Sequence, residues 1–154
     1  MPNDLWVDDR KLAGILIETA SPAVIPAKAG IQGAPTPRYA VIGVGINIAP
    51  RDAAGISTPP AWLQELDPRA GASATLLRIA KPLVDAVQTF ETWGFSPFQS
   101  RFTARDALAD RPVKLSDGTA GTAHGVTETG ALLVHTASGM HTVTSSEVSV
   151  RPSR

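Results

Sequence analysis

Between Ser21 and Pro37 the chain reads SPAVIPAKAGIQGAPTP, with four prolines (Pro22, Pro26, Pro35, Pro37) and with Gly30 and Gly33 between them. Proline fixes φ and removes a backbone donor, so the segment is denied both a helix and a central strand. The flanking stretches must therefore form structure separately and meet across a loop. Upstream, Leu5-Trp6-Val7, the polar turn Asp8-Asp9-Arg10 and the run Leu12 to Ile17, closed by Glu18, carry the pattern of a strand, a tight turn and a second strand. Asn3, Asp4 and Lys11 then stand near strand ends, where a rigid sheet can hold an amide, an acid and a cation in fixed relation. Downstream, Tyr39 to Ile48 (YAVIGVGINI) is a short run rich in β-branched residues, which predicts a central strand buried on both faces. Its Gly43-Val44-Gly45 step weakens a strand and calls for close approach of a ligand or a neighbouring chain, with plain packing as the alternative. A dinucleotide fingerprint is excluded, because the third glycine is missing and Ala49-Pro50 does not open a helix.

Arg51 to Gly71 is loop-like, with a helical turn predicted at Ala61 to Leu66 and Trp62 read as a packing residue. Ser73 is the expected N-cap of a long helix that presents Leu76, Ala80, Leu83, Val87 and Phe90 on one face and covers the sheet. Pro82 predicts a kink or break near Arg78 to Lys81, and Gly94 an end. Pro97 to Leu108 reads as a second short helix with Phe98, Phe102 and Leu108 inward. From Asp110 to Pro112 the pattern turns to β. Val113–Leu115, Thr119–Val126, Ala131–Thr136, Met140–Val143 and Glu147–Val150, separated by turns at Asp117-Gly118, Glu128–Gly130 and Ser138-Gly139, predict a small SH3-like barrel. His124, His135 and His141 fall on different strands without ligand spacing, which favours surface or hydrogen-bonded histidines over a metal site. The expected class is α+β: residues 1–109 carry a partial mixed sheet with 21–37 as an insertion loop, and residues 110–154 the barrel.

Fourteen basic and fourteen acidic residues cancel, so no global field favours nucleic acid or anionic lipid. The absence of cysteine excludes disulfides and thiolate chemistry. No apolar run approaches the ~20 residues that span a bilayer, and a cytoplasmic location is expected.

With these residues laid out, the chain resembles the C-terminal half of a bacterial biotin protein ligase. Pro2-Asn3-Asp4-Leu5 with Arg10-Lys11-Leu12-Ala13-Gly14-Ile15-Leu16 is similar to the substrate-site signature of that family, Gly43-Val44-Gly45-Ile46-Asn47 to its second glycine segment, and Glu147-Val148-Ser149-Val150-Arg151 to its C-terminal strand. The resemblance implies a two-step reaction: biotin attacks the α-phosphate of ATP to give biotinyl-5'-AMP and pyrophosphate, and a lysine of the biotin carboxyl carrier protein of acetyl-CoA carboxylase then attacks the anhydride. Lys11 matches the lysine that contacts biotin and the adenylate phosphate; without the match it reads as an ordinary turn lysine beside Asp8 and Asp9. Asp4 is implied to orient the incoming amine or accept its proton, against a plain turn or capping role. Asn3 and Asn47 are candidate ligands for phosphate, and Asn47 for the Mg²⁺ that accompanies ATP. Gly43 and Gly45 would let the backbone approach the biotin rings, with Gly14 and Ile15 on the opposite wall.

The glycine and arginine-rich loop that closes over biotin and adenylate in the family lies upstream of the matched region, and Met1 falls in mid-motif, as a truncated gene or an internal start codon would leave it. The DNA-binding helix-turn-helix of repressor-type members is absent, so no DNA contact is expected. Sheet strands left without neighbours predict self-association through an exposed edge. A non-catalytic remnant or carrier-binding module is the alternative. The segment Val24–Gln32 (VIPAKAGIQ) resembles a peptide encoded by dispersed bacterial repeat elements, which makes 21–37 a tolerated insertion. Deleting residues 21–37 is therefore expected to leave soluble yield and far-UV circular dichroism unchanged; a collapse of soluble yield would remove the insertion reading.

Overall fold

The structure, a computed structural model, describes residues 3–20, 39–53, 55–56, 58–143 and 150–152. The segment 21–37, residues Met1 and Pro2, and the Glu147–Ser149 part of the last expected strand lie outside the described residues. Backbone contacts group the chain into two units, Asn3–Arg69 and the part from Ala70 onward. The expected boundary at 109/110 falls inside the second.

In the first unit β1 (Asp4–Val7) and β2 (Arg10–Ala20) are joined through Asp8 and Asp9, with φ of 50° and 57°. Successive left-handed residues twist a tight hairpin in the sense the strands require, and aspartate is among the few side chains that tolerate them. Antiparallel pairing follows, with Asp4 opposite Gly14 and Leu5 opposite Ala13, but Trp6 opposite Lys11. Leu12 is thus an extra residue in β2, a β-bulge. On its other side β2 pairs antiparallel with β3 (Tyr39–Ile46), from Ala13–Ile46 to Ala20–Tyr39.

Two expectations are corrected here. Among the described residues the sheet runs β1-β2-β3, so β3 is an edge and β2 the centre, and β3 is largely exposed, Val41 at 59%. A β-branched run reports strand propensity; the number of neighbours is set by pairing. All described strand pairings in this sheet are antiparallel where a mixed sheet was expected, the parallel exception being an isolated bridge between Lys11 and Pro60. Beyond Ile46 the chain leaves the ladder. Asn47 and Ile48 accept from Leu63 N–H (2.8 Å) and Gln64 N–H (3.0 Å), which anchors the short helix α1 (Leu63–Leu66).

The second unit opens with α2 (Ala72–Trp93), whose N-cap is Gly71; Ser73, the expected cap, is already helical. The helix runs through Pro82 without the break that was one of the two expected outcomes. Pro82 is exposed, where water can satisfy the backbone group it leaves unbonded. No residue of α2 is buried, and its apolar stripe is exposed, Phe90 at 56%. Periodicity shows that such a face exists, not what it meets.

Gly94, at φ 65°, ends the helix as expected. Instead of one helix over 97–108 there is a 3₁₀ turn (Ser96–Phe98) and α3 (Gln99–Thr103). Phe95 and Phe102 meet edge to face at 5.8 Å.

The remaining strands, β4 (Pro112–Leu115), β5 (Ala120–Val126), β6 (Leu132–Thr136), β7 (Gly139–Val143) and β8 (Val150–Pro152), form a five-stranded antiparallel sheet in the order β7-β6-β5-β4-β8. Alternation along β4 buries Val113 and Leu115, which meet Ala123 and Val134 and are covered by Leu108, Leu132 and Val143. Outside this small core, Gln99 Nε2 donates to Val126 O at 3.4 Å, and the Gly130 turn lies against the Phe95 ring. Gly121 sits so close to β6 that an added Cβ would stand 2.5 Å from His135 O and 2.6 Å from Val134 Cγ1. Since one contact is backbone, Gly121→Ala is expected to destabilise this unit by about 1–3 kcal/mol, read from urea unfolding.

Candidate functional site

The glycines of the first unit share a face. Opposed residues in an antiparallel pair point the same way, so Asp4, Gly14 and Gly45 form a row across β1, β2 and β3, and Gly43 opposite Leu16 extends it. Strict alternation from Gly14 would send Lys11 to the other face. The extra residue at Leu12 reverses the alternation and turns Lys11 onto the glycine face. There its Nζ lies 2.7 Å from Asp4 Oδ1 and 3.1 Å from where a Gly14 Cβ would stand.

Asp4 is the enclosed partner, its side chain 6% exposed against 37% for Lys11. Oδ1 is buried without an aligned hydrogen-bond donor, so the pair is held by charge at contact distance. An ammonium on a bare backbone floor, half-open to solvent, is suited to an incoming anion.

The bulge is pinned from two sides. Asn47 N–H donates to Leu12 O at 2.9 Å and its Nδ2 to Lys11 O at 2.9 Å. Lys11 N–H donates to Pro59 O and Lys11 O accepts from Ala61 N–H, each 2.9 Å. The lysine backbone is thereby held while its side chain keeps its freedom. At the far end of the hairpin Asn3 O accepts Ile15 N–H at 2.8 Å, and Asn3 Nδ2 donates to Ile15 O at 2.6 Å.

Of the residues expected at the site, Lys11, Asp4, Gly14, Gly43 and Gly45 come together on this face. Ile15 contributes backbone near Asn3, while alternation directs its side chain to the opposite face. Asn3 and Asn47 each donate their amide to a β2 carbonyl, which leaves Oδ1 as the atom able to accept or to coordinate. For Mg²⁺, which keeps several waters and takes few protein oxygens beside substrate phosphates, one amide oxygen at Asn47 is a compatible donor. Among the described residues no group of three or more His, Cys, Asp or Glu is placed to hold a metal, and His124, His135 and His141 lie exposed on β5, β6 and β7.

The sequence did not disclose the second half of this region. An open hollow of about 240 Å³ is lined by Ile46, Asn47, Ile48, Ala49, Arg51 and Trp62. Arg10 binds Glu65 through both carboxylate oxygens, at 3.0 and 2.6 Å, and Glu65 Oε1 also accepts Trp62 N–H at 3.1 Å. Hydrogen bonding to Arg10 first, with the Trp62 N–H adding to it, holds the Glu65 carboxyl below its usual range; Glu65 in turn raises Arg10. No local signal pairs these residues, because tryptophan stands where a capping serine or threonine would have marked the motif.

Residues 110–151 match the family model described as biotin protein ligase C terminal domain. Over 138 residues the chain is 35% identical to the bifunctional ligase/repressor BirA of Escherichia coli (strain K12), covering 86% of this chain and 40% of that protein. It is 28% identical over 155 residues to a biotin--[acetyl-CoA-carboxylase] ligase of Paracoccus denitrificans, covering 96% and 60%. Among solved structures, the apo biotin protein ligase from Aquifex aeolicus superposes with a TM-score of 0.78 at 22% identity, over 98% of this chain and 63% of that one. The same Aquifex enzyme in complex with biotin and ATP gives 0.76, over 98% and 60%. The chain spans about 40 to 60% of the length of these curated relatives. In the described residues no helix is long and apolar enough to cross a membrane.

The close approach at Gly14 provides a test of the lysine geometry. A methyl placed 3.1 Å from Lys11 Nζ and 3.4 Å from Asp4 Oδ1 crowds the pair, and the flexible lysine is the one to give way, which loosens its contact with Asp4. Gly14→Ala is expected to change stability by less than about 1 kcal/mol while raising Lys11 acetylation by an amine-selective reagent, followed by mass spectrometry. Unchanged labelling would show that the pair does not depend on the bare backbone.

Proposed function

Because the chain corresponds to the C-terminal part of biotin protein ligases, we propose that its first unit carries one wall of a site where biotin is activated by ATP and transferred to a carrier lysine. The observation that carries this reading is Lys11, turned by the bulge onto a face floored by Gly14, Gly43 and Gly45 and held 2.7 Å from the enclosed Asp4.

Both steps of such a reaction gather negative charge. In the first, a carboxylate oxygen of biotin bonds to the α-phosphorus and pyrophosphate leaves. In the second, the carrier amine bonds to the acyl carbon, loses a proton and expels AMP. In this reading the Lys11 ammonium stabilises that charge, and Asp4 holds the ammonium in place and offers a carboxylate to the incoming amine. The glycine floor admits a flat, rigid ring system at backbone distance. The hollow beside Asn47, Arg51 and Trp62 suits the base and phosphates of ATP, with Asn47 Oδ1 available to Mg²⁺. Asn3 acts mainly by locking β1 to β2.

In this reading the five-stranded sheet of the second unit, β7-β6-β5-β4-β8, is an SH3-like module that serves the contact with the carrier protein. The exposed edge of β3 is the surface for self-association. A carrier-binding module is the second reading, favoured by the family-model match, which falls on residues 110–151.

The readings separate in biotin-dependent ATP–pyrophosphate exchange by the purified chain. Exchange by the chain alone, or by the chain complemented with the N-terminal part of a biotin protein ligase, that disappears in Lys11→Ala supports the activating wall. No exchange in either case, together with retained binding of apo carrier protein, supports the module.

A further inference from the structure

We infer that Arg10 and Glu65 are positioning residues that hold the Trp62 wall of the hollow in register with Lys11. The consequence for nucleotide binding rests on the function proposed above; the geometry does not. Glu65 is the node. Its Oε2 lies 2.6 Å from Arg10 Nη2, and its Oε1 accepts both from Arg10 Nη1 at 3.0 Å and from Trp62 N–H at 3.1 Å. One carboxylate thus ties the first residue of β2, the neighbour of Lys11, to the backbone of Trp62, which lines the hollow.

A two-point guanidinium–carboxylate contact fixes angle as well as distance, which a lysine or an amide cannot reproduce. The segment needs such a fixture. The helix α1 has four residues, none of them buried, and a helix so short does not persist without tertiary bonds. Other bonds keep the segment attached: Lys11 with Pro59 and Ala61, and Leu63 N–H with Asn47 O. Loss of the clamp therefore leaves the strand and the hollow in existence and releases the orientation of Trp62.

The pair is half-exposed, 35% on each side chain, so its worth to overall stability is small. Its role is placement. As the contact of a depressed carboxyl, it is complete above the usual carboxylate range and lost as pH falls through the lower folded value.

The test uses the whole chain with Trp6→Phe and Trp93→Phe, which leaves Trp62 as the one indole of the original three. Emission maximum and acrylamide quenching of Trp62 are read without ligand at neutral pH in Glu65→Ala, Glu65→Gln and the exchange Arg10→Glu with Glu65→Arg. The expected result is a shift to longer wavelength with stronger quenching in Glu65→Ala, a smaller change in Glu65→Gln, and partial recovery in the exchange, all with unaltered far-UV circular dichroism. Trp62 emission and quenching equal to the parent, with only a lower melting temperature, would make the pair a mere stabiliser and overturn the inference. Should Glu65→Ala lose its circular dichroism, Glu65→Gln and the exchange decide by the same criterion. ATP added to the parent forms a separate arm. No quenching by ATP would remove the nucleotide reading of the hollow while leaving the ligand-free comparison decisive for the clamp.

Discussion

The orientation of Lys11 depends on one extra residue in β2. With Leu5 opposite Ala13 and Trp6 opposite Lys11, the bulge at Leu12 reverses the in-out alternation, and the ammonium meets Asp4 above the glycine floor instead of pointing through the sheet. A bulge leaves carbonyls and amides without ladder partners, and here Asn47, Pro59 and Ala61 supply them. The end of β3 and the segment before α1 are therefore built against the same two residues that aim the lysine. Site and local fold are one hydrogen-bonded arrangement.

The same economy explains the dual character of the asparagines. Asn3 and Asn47 each give their amide N–H to a β2 carbonyl and keep an oxygen for other use. A side chain locked by one bond presents the remaining atom with little conformational freedom, which is how a sheet edge makes a precise polar contact. The hollow lined by Asn47, Arg51 and Trp62 continues from there, so that charge, bare backbone and an aromatic wall lie within one unit of the chain.

The hairpin, the glycine step, the α1 turn and the β character of the C-terminal unit were all legible in the residues, because each rests on local chemistry: paired aspartates at a tight turn, glycines in a β-branched run, turn signals between short strands. The rest was not legible, for identifiable reasons. Tyr39–Ile48 promised a buried central strand and is an exposed edge, since strand propensity is blind to neighbours. Ser73 promised an N-cap, but the helix begins at Ala72 after Gly71. Pro82 promised a break, yet an exposed helix tolerates it. The clamp between Arg10 and Glu65 spans 55 residues and left no trace in either local pattern.

By itself the sequence determined the chemistry at hand, namely an acid, two amides, a lysine and three bare backbone positions on strands, and it did so because residue type and short-range spacing are local properties. Only the tertiary structure decided that Lys11 shares a face with Asp4, Gly14, Gly43 and Gly45, that Asn47 pins the bulge, and that Glu65 ties Trp62 to β2. Those outcomes turn on register. A single residue of slip in a strand exchanges the two faces of a sheet, and no stretch of sequence read alone contains the partner that sets it.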